Sequence, residues 1–324
     1  MPLVRAHARR AATEVLARRT FFQDHLFAEI ALNLQFTLPE PTTLNTIQYM
    51  SKVHSSAILT GDIQISKDAE IGPYCVLDGT IGPITIGAGT RLMHQVSMQG
   101  PLTIGERNRI YPSSSIGYPP QDLGFDPDKA GAGCVIGDDN TFRESVSIHR
   151  AKMELPTRIG DKNYLMANSH IAHDCVVGSK CIFANNVSLG GHVEIGDGVI
   201  FGGVSTVHQF ARVGRGAFLG GLTGLSTDLP AFFMLTAINV AGSLNLIGMR
   251  RSGMQRADID TVRWVYEVVQ RRKLSRPNVL IALSERKENL IVQEYIRFIE
   301  TAKRPITPST GSALRGTSIT TTVE

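Results

Sequence analysis

One feature limits the fold of this chain more than any other: an apolar residue recurs at every sixth position over a long stretch. The uninterrupted series is Ile159, Leu165, Ile171, Val177, Phe183, Leu189, Ile195, Phe201, Val207, Val213, Leu219 and Leu225. A six-residue period matches neither the turn of an α-helix nor the alternation of a single strand. The pattern therefore predicts a short strand and a corner in each hexad, with the apolar side chain turned inward.

The same step is present in earlier blocks that begin at Leu59, Ile86 and Ile136, and glycine often follows the apolar position. Glycine adopts backbone angles that other residues resist, which suits a tight corner. Three hexads that close one triangular coil give a parallel β-helix, whose coils stack about 4.8 Å apart. The pattern resembles the left-handed parallel β-helix of hexapeptide-repeat solenoids, and the left hand is implied by that resemblance alone.

The β-helix is predicted to span residues 50–230, with two loops where the hexads break. The first loop is residues 117–135, which are rich in Pro, Gly and Asp, and the second is residues 150–156, RAKMELP. Long loops on a rigid scaffold often carry function. We therefore expect both loops to lie near a functional site.

The two ends of the chain follow other patterns. Residues 231–303 have apolar residues at helical spacing, which predicts a small α-helical C-terminal domain. Residues 304–324 contain few large apolar side chains, so we expect a disordered tail. Residues 1–49 are interpreted as an N-terminal extension, either from an upstream start codon or as a targeting segment.

Composition excludes several classes of partner. The formal net charge of +4 is too small to indicate a nucleic-acid-binding protein. No apolar run is long enough to span a membrane, so stable membrane insertion is not expected. The cysteines Cys75, Cys134, Cys175 and Cys181 form no C-x-x-C pair, which favours packing residues in a reducing, cytoplasmic compartment.

The stretch MANSHIAHDCVVG, residues 166–178, contains the candidate site. With three hexads to a coil, residues eighteen apart stack, so Asp174 lies under His192 and His173 under Gly191. The residues predicted to gather on neighbouring coils are His170, His173, Asp174, Asn186, Gly191 and His192. This cluster is compatible with a general base and its carboxylate, with a metal site, or with structural side chains.

Several motifs in order carry a closer resemblance: PPQDLGF, SHIAHDCVVG, NNVSLGGHVEIG, GGVSTVHQF and GMRRSGM. From about residue 50 to residue 303 the chain resembles the bacterial UDP-N-acetylglucosamine O-acyltransferases of lipid A synthesis. The resemblance implies transfer of an (R)-3-hydroxyacyl group from acyl carrier protein to the sugar 3-hydroxyl, with no cofactor and no covalent enzyme intermediate. It also implies a homotrimer with active sites between subunits.

The resemblance assigns roles residue by residue. His173 matches the general base, Asp174 its partner, and Gly191 the source of an oxyanion-binding N–H. The matched substrate contacts are Gln121, Asp122, His170, Asn186, His192, His208, Gln209, Gly221, Asn245 and Arg251. Gln121 and Asp122 are expected to reach the site from a neighbouring subunit, and Gly221 to leave room for a longer acyl chain.

Two positions depart from the family pattern and keep other activities open. Gly124 and Ile247 stand where well-studied members carry a lysine and an acid. A 3-amino sugar acceptor, the related N-acyltransferase of the same pathway, and a metal-binding solenoid like the γ-carbonic anhydrases remain alternatives. A basic stretch that includes Arg250, Arg256, Arg271 and Arg272 is expected to dock the acidic carrier protein.

Overall fold

The computed structural model describes residues 53–310. The predictions for residues 1–49 and for residues 311–324 lie outside these described residues. Between them the chain winds into a parallel β-helix with three faces, and short helices follow it. The predicted fold class is confirmed.

The first face is a ten-stranded sheet, parallel except for its last pair. Its strands are β2 (Glu70–Ile71), β4 (Arg91–Leu92), β7 (Arg109–Ile110), β10 (Thr141–Phe142), β13 (Tyr164–Leu165), β16 (Ile182–Phe183), β19 (Ile200–Phe201), β22 (Phe218–Leu219), β24 (Phe233–Leu235) and β25 (Ser243–Leu244). Because β24 pairs with β22, the solenoid continues beyond the predicted boundary at residue 230. Buried Phe233 and Leu235 keep the inward pattern there, which the sequence spacing does not show.

The other two faces share long strands at their N-terminal end. Strands β1 (Ile58–Ile65) and β3 (Val76–Ile86) each contribute to both. The second face continues with β5 (Ser97–Gln99), β8 (Ser115–Tyr118), β11 (Ser147–His149), β14 (His170–Ile171), β17 (Ser188–Leu189), β20 (Thr206–Val207) and β23 (Gly224–Leu225). The third continues with β6 (Leu102–Ile104), β9 (Cys134–Ile136), β12 (Thr157–Ile159), β15 (Val176–Val177), β18 (Glu194–Ile195) and β21 (Arg212–Val213).

The hexad residues form the core of the coil. Every residue of the series from Ile159 to Leu225 is at most 4 % exposed. Phe183 and Phe201, one coil apart, stack with ring centroids 4.5 Å apart. The four cysteines are also buried and free, as predicted, and burial raises the pKa of Cys134, Cys175 and Cys181 to about 12. They are packing residues.

The helices are α1 (Leu246–Arg251), α2 (Arg256–Tyr266), a π-helical turn (Glu267–Arg271), α3 (Arg276–Ser284) and α4 (Leu290–Glu300). Helix α4 is fixed to the last coils by buried contacts. The hydroxyl of Tyr295 donates to the carbonyl of Ala231 at 2.7 Å, and Arg212 bonds both Asp228 and the carbonyl of Phe298. Among the described residues, no helix combines the length and apolar character needed to cross a bilayer.

The expectation of disorder from residue 304 is wrong for residues 304–310. The N–H of Asp228 donates to the carbonyl of Pro305, and the N–H of Thr307 donates back to the carbonyl of Asp228. Thr307 is fully buried, and the carbonyl of Pro308 accepts from Ala241. Backbone pairing, which composition does not reveal, orders this segment.

Candidate active site

Four residues of the predicted cluster come together at one corner of the solenoid: His173, Asp174, Gly191 and His192. Strand β14 ends at Ile171 and β17 ends at Leu189, so His173–Asp174 and Gly191–His192 occupy the same corner on successive coils. Asp174 and His192 have φ of 59° and 60°, a left-handed conformation that Asp and His tolerate better than bulkier residues. The N–H of His192 donates to the carbonyl of His173 at 3.0 Å. The eighteen-residue stacking predicted from the sequence therefore holds here.

His173 and Asp174 form a hydrogen-bonded dyad. His173 Nδ1 lies 2.6 Å from Asp174 Oδ2, and the two side chains are 13 % and 5 % exposed. The backbone N–H groups of Met153 and Lys152 donate to the Asp174 oxygens at 2.8 and 3.1 Å. Burial alone would raise the pKa of Asp174, but the hydrogen bonds from His173 and from these amides outweigh it and lower that pKa.

The charge state of Asp174 fixes the tautomer of His173. An ionised carboxylate only accepts hydrogen bonds, so the proton of the neutral imidazole must be on Nδ1. Nε2 is then left with its lone pair free to accept a proton. This is the arrangement that a histidine general base requires.

Gly191 lies against the imidazole of His173. A Cβ placed on residue 191 would fall 2.7 Å from Cε1 and 2.8 Å from Nε2 of that ring. Only glycine therefore allows the ring to occupy this position. The N–H of buried Gly191 donates to no group of the described residues, while its carbonyl accepts from Phe210.

His192 completes this corner. Its ring meets that of His173 edge-on, with centroids 5.2 Å apart, and stacks on Phe210 with centroids 4.4 Å apart. His192 Nε2 is 3.8 Å from Asp174 Oδ2. Burial is the largest cause that lowers the pKa of His192, which favours a neutral ring.

The same three side chains could meet around a metal ion. One ligand atom from each of His173, Asp174 and His192 lies within 4.8 Å of the others. Both oxygens of Asp174 already accept backbone hydrogen bonds, and His173 Nδ1 is engaged as well. A metal would have to compete with these bonds, so the geometry fits a dyad better.

His170 lies on strand β14, three residues before His173, beside His149, which the sequence patterns did not single out. His170 Nδ1 is 2.8 Å from the Ser147 hydroxyl, and its ring meets His149 edge-on at 5.2 Å. Burial first, and then the neighbouring His149 and His173, lower the pKa of His170 to about 4. His170 is therefore a neutral imidazole at physiological pH.

The first loop lies beside the dyad of its own chain. Asp122 Oδ2 accepts from Lys152 Nζ at 2.7 Å, and the same Lys152 donates its backbone N–H to Asp174. Lys152 is the main cause that lowers the pKa of Asp122. Within one chain, Asp122 is thus linked to the dyad through Lys152. The expectation that Asp122 serves a neighbouring subunit stays a prediction.

Within the described part of the chain, the other residues expected at the site form no hydrogen bond or ion pair with the dyad. They are Gln121, Asn186, His208, Gln209, Gly221, Asn245 and Arg251, and most of them are exposed. Asn245 is the exception, because it is buried and caps helix α1, accepting from the N–H of Gly248 at 2.9 Å. Its NH₂ group donates to the carbonyl of Gly216 at 2.9 Å, so the amide is already used by the fold.

Comparison with known proteins gives matches over both parts of the chain. The family model "Udp N-acetylglucosamine O-acyltransferase; Domain 2" matches residues 228–307, and a hexapeptide-repeat transferase model matches residues 156–191. The acyl-[acyl-carrier-protein]–UDP-N-acetylglucosamine O-acyltransferase of Thermodesulfovibrio yellowstonii is 37% identical over 263 residues, which are 79% of this chain and 99% of that protein. The chain belongs to the UDP-N-acetylglucosamine O-acyltransferase family.

Solved structures of this family have the same architecture. The enzyme from Moraxella catarrhalis is 38% identical, covers 79% of this chain and 100% of its own, and superposes with a TM-score of 0.75. The enzyme from Francisella novicida is 31% identical, covers 82% of this chain and 100% of its own, with a TM-score of 0.76. The resemblance seen in the motifs is therefore confirmed.

Membership of the UDP-N-acetylglucosamine O-acyltransferase family does not reveal every residue that supports the site. The sequence patterns missed His149, Arg150, Lys152 and Phe210. The signal for the first three was the hexad break directly after Ile148, where an inserted loop meets a strand end. Phe210 is exposed at a corner, one coil beyond His192, and the eighteen-residue spacing could have found it.

Proposed function

We propose that the protein transfers an (R)-3-hydroxyacyl group from acyl carrier protein to the 3-hydroxyl of UDP-N-acetylglucosamine, the first step of lipid A synthesis. The relative from Thermodesulfovibrio yellowstonii is an acyl-[acyl-carrier-protein]–UDP-N-acetylglucosamine O-acyltransferase, and it is matched over almost its whole length. The observation that carries the chemistry is the hydrogen-bonded His173–Asp174 dyad with Gly191 placed over the imidazole.

The reaction follows from the charges at the dyad. His173 Nε2 takes the proton of the sugar 3-hydroxyl as its oxygen forms a bond to the thioester carbon. The imidazolium that results is stabilised by the ionised Asp174. When the tetrahedral intermediate collapses, the carbon–sulfur bond breaks and the departing thiolate takes the proton from His173. Atoms and charges balance without a cofactor or a covalent enzyme intermediate.

The oxyanion of that intermediate needs a hydrogen-bond donor. We assign the N–H of Gly191, which is buried and donates to no described group. A fixed donor of this kind acts where charge develops in the transition state and typically contributes a factor of about 10² to 10³. The position of Gly191 beside Nε2 supports this role.

The neighbouring polar residues are proposed substrate contacts. His170, His192, Asp122 and Gln121 surround the dyad or belong to the loop beside it, and Asn186 lies on the next coil. His208, Gln209, Gly221, Asn245 and Arg251 complete the set by resemblance. By the same resemblance, we propose a cytoplasmic homotrimer with active sites between subunits.

Product analysis tests the reaction directly. The full-length protein is incubated separately with UDP-N-acetylglucosamine, with its 3-amino analogue and with UDP-3-O-acyl-glucosamine. Each reaction contains 3-hydroxyacyl carrier proteins of several chain lengths, and products are identified by mass spectrometry. We expect a UDP-linked monoacyl ester at the 3-oxygen, with preference for a longer acyl chain. If only a 3-amino sugar or a 3-O-acylated glucosamine is acylated, and an amide forms, the O-acyltransferase proposal is wrong.

A metal-binding function is the second candidate, because His173, Asp174 and His192 can place three ligand atoms together. Elemental analysis of the purified protein, with and without dialysis against a chelator, tests it. Acyl transfer that persists at full rate after chelation supports the general base. A stoichiometric metal whose removal abolishes acyl transfer supports the metal site instead.

A further inference from the structure

Residues 149–153 join the first loop to the dyad. The side chain of His149 bonds the carbonyl of Pro119, where the loop begins. Arg150 is fully buried, and its guanidinium donates to the carbonyls of Pro127 and Lys129 at 2.9 and 2.8 Å. This short segment therefore holds the first loop near its start and near its middle, and it then continues to the dyad.

Lys152 contacts both the first loop and the dyad. Its ammonium donates to Asp122 of the loop at 2.7 Å, and its backbone N–H donates to Asp174 of the dyad at 3.1 Å. An ion pair at a partly exposed position contributes little to the stability of a protein, because water and salt screen it. The pair is thus better suited to orienting Asp122 than to holding the fold together.

Gly124 lies near Lys152 and Asp122 but has no side chain that could contact either of them. A Cβ at Gly124 would meet only Asp122 Oδ1 at 3.4 Å and the Lys152 ammonium at 3.8 Å. Residue 124 is outside the left-handed region, so neither space nor backbone conformation demands glycine there. A cation carried by residue 124 could reach the same carboxylate that Lys152 binds.

We propose that Lys152 is a positioning residue, which holds Asp122 in place for the nucleotide sugar and supplies from the second loop the cation that Gly124 does not. This inference rests on the proposed function, which makes Asp122 a substrate contact. The dyad keeps its own support when the Lys152 side chain is replaced, because Asp174 is bound by the backbone N–H. Loss of the ammonium should therefore affect substrate binding more than the chemical step.

The first test is steady-state kinetics of Lys152→Met. We expect KM for UDP-N-acetylglucosamine to rise about tenfold, as loss of a charge-assisted hydrogen bond predicts, with kcat changed less than about threefold. Lys152→Arg should recover most of the affinity. Lys129→Met is the matched control, because Lys129 is an exposed lysine of the first loop whose ammonium binds no acid among the described residues.

Rescue separates positioning from a general loss of structure. Adding Gly124→Lys to Lys152→Met should return KM to within about threefold of the wild type, since the new ammonium can reach Asp122. The proposal is overturned if Gly124→Lys fails to restore KM. It is also overturned if Lys152→Met and Lys129→Met have the same KM for UDP-N-acetylglucosamine. A parallel loss of kcat and of thermal stability also overturns it, because that would indicate a structural role.

A measurement without turnover keeps this inference distinct from the proposed function. Hydrogen exchange of residues 117–135 should be faster in Lys152→Met than in Lys129→Met, and slow again after the Gly124→Lys rescue. Unchanged exchange in Lys152→Met contradicts the positioning role. If exchange is faster in Lys152→Met but the wild-type protein makes no acylated product, the positioning role is supported and the proposed reaction is contradicted.

Discussion

Gly191 lies directly against the imidazole of His173, so that a Cβ on residue 191 would fall 2.8 Å from Nε2. Real Cβ atoms do not approach so closely, and either the ring or the corner would have to move. Gly191→Ala should therefore reduce kcat by about 10²-fold or more, because it displaces the base and the N–H together. Steady-state kinetics checks this, and a rate within about twofold of the wild type would contradict it.

A suitable control for that substitution is Gly203→Ala, two hexads further along the chain. A Cβ there would meet only the carbonyl oxygen of Asn185 at 3.6 Å, an ordinary contact. We expect this variant to fold and to transfer the acyl group at close to the wild-type rate. Equal losses in the two glycine variants would show that the solenoid, rather than the His173 ring, is sensitive to added methyl groups.

The tautomer of His173 depends on Asp174. Asp174→Asn keeps the size of the side chain, but the amide can donate to Nδ1 and so favours a proton on Nε2. We expect kcat to fall on the order of 10²- to 10⁴-fold with KM nearly unchanged, since the base is present in the wrong tautomer. Kinetics beside a thermal melt checks this, and a rate close to that of the wild type would exclude Asp174 as the partner of the base.

The low pKa of His170 makes stability depend on pH. In the folded protein this pKa is about 4, whereas an unfolded chain takes up the proton near the ordinary value of about 6.5. The unfolded state therefore binds more protons between these values, and the free energy of unfolding falls as pH drops from 6.5 to 4, by about 1.4 kcal/mol for each pH unit.

Replacing His170 should remove that dependence. His170→Gln can still bond the Ser147 hydroxyl, but it does not titrate, so we expect a smaller loss of unfolding free energy between pH 7.5 and pH 5. Urea titrations at fixed protein concentration measure it. The same substitution at exposed His94 controls for the loss of an imidazole. Equal slopes for the wild type and His170→Gln would contradict the assignment.

The basic surface at the start of the helices is proposed to receive the carrier protein. Arg271 and Arg272 are exposed, although Arg272 lies 3.5 Å from Glu267. Reversal of both charges to Glu should raise KM for the acyl carrier protein about tenfold at low salt, and the effect should shrink as salt is added. Kinetics at varied carrier concentration measures this.

The matched control for that double reversal is Lys162→Glu with Lys180→Glu, which changes the net charge equally at a corner of the coil. Both lysines are exposed, and they are one coil apart. If the two double variants raise KM for the carrier equally, the effect comes from net charge and not from a docking surface. A wild-type KM in the Arg271 and Arg272 variant excludes the surface altogether.

Periodicity explains why the sequence predicted the coil and its corner so well. Each hexad is a local rule, and three hexads set the stacking, so Gly191 could be placed over His173 without any knowledge of long-range contacts. The resemblance then supplied the chemical roles, which spacing alone left open between a base, a metal ligand and a structural side chain. The dyad distance of 2.6 Å agrees with the role expected for His173 and Asp174.

The contacts made by the two inserted loops could not be predicted from the hexad period. Lys152 meets Asp122 because two loops of different length fold over one corner, and no fixed spacing connects residues 122 and 152. Arg150 is buried against loop carbonyls, although arginine is rarely buried. Likewise, residues 304–310 are ordered by pairing with Asp228, which neither composition nor period encodes.

The most direct test of the account is the acyl-transfer rate of His173→Gln beside that of the wild type. The acceptor is UDP-N-acetylglucosamine, the donor is the preferred 3-hydroxyacyl carrier protein, and the ester product is quantified by mass spectrometry. Glutamine fills the space of the imidazole without acting as a base, so we predict a fall in kcat on the order of 10²- to 10⁴-fold with the fold intact. A folded His173→Gln protein that forms the ester at nearly the wild-type rate would contradict the assignment of His173 as the general base.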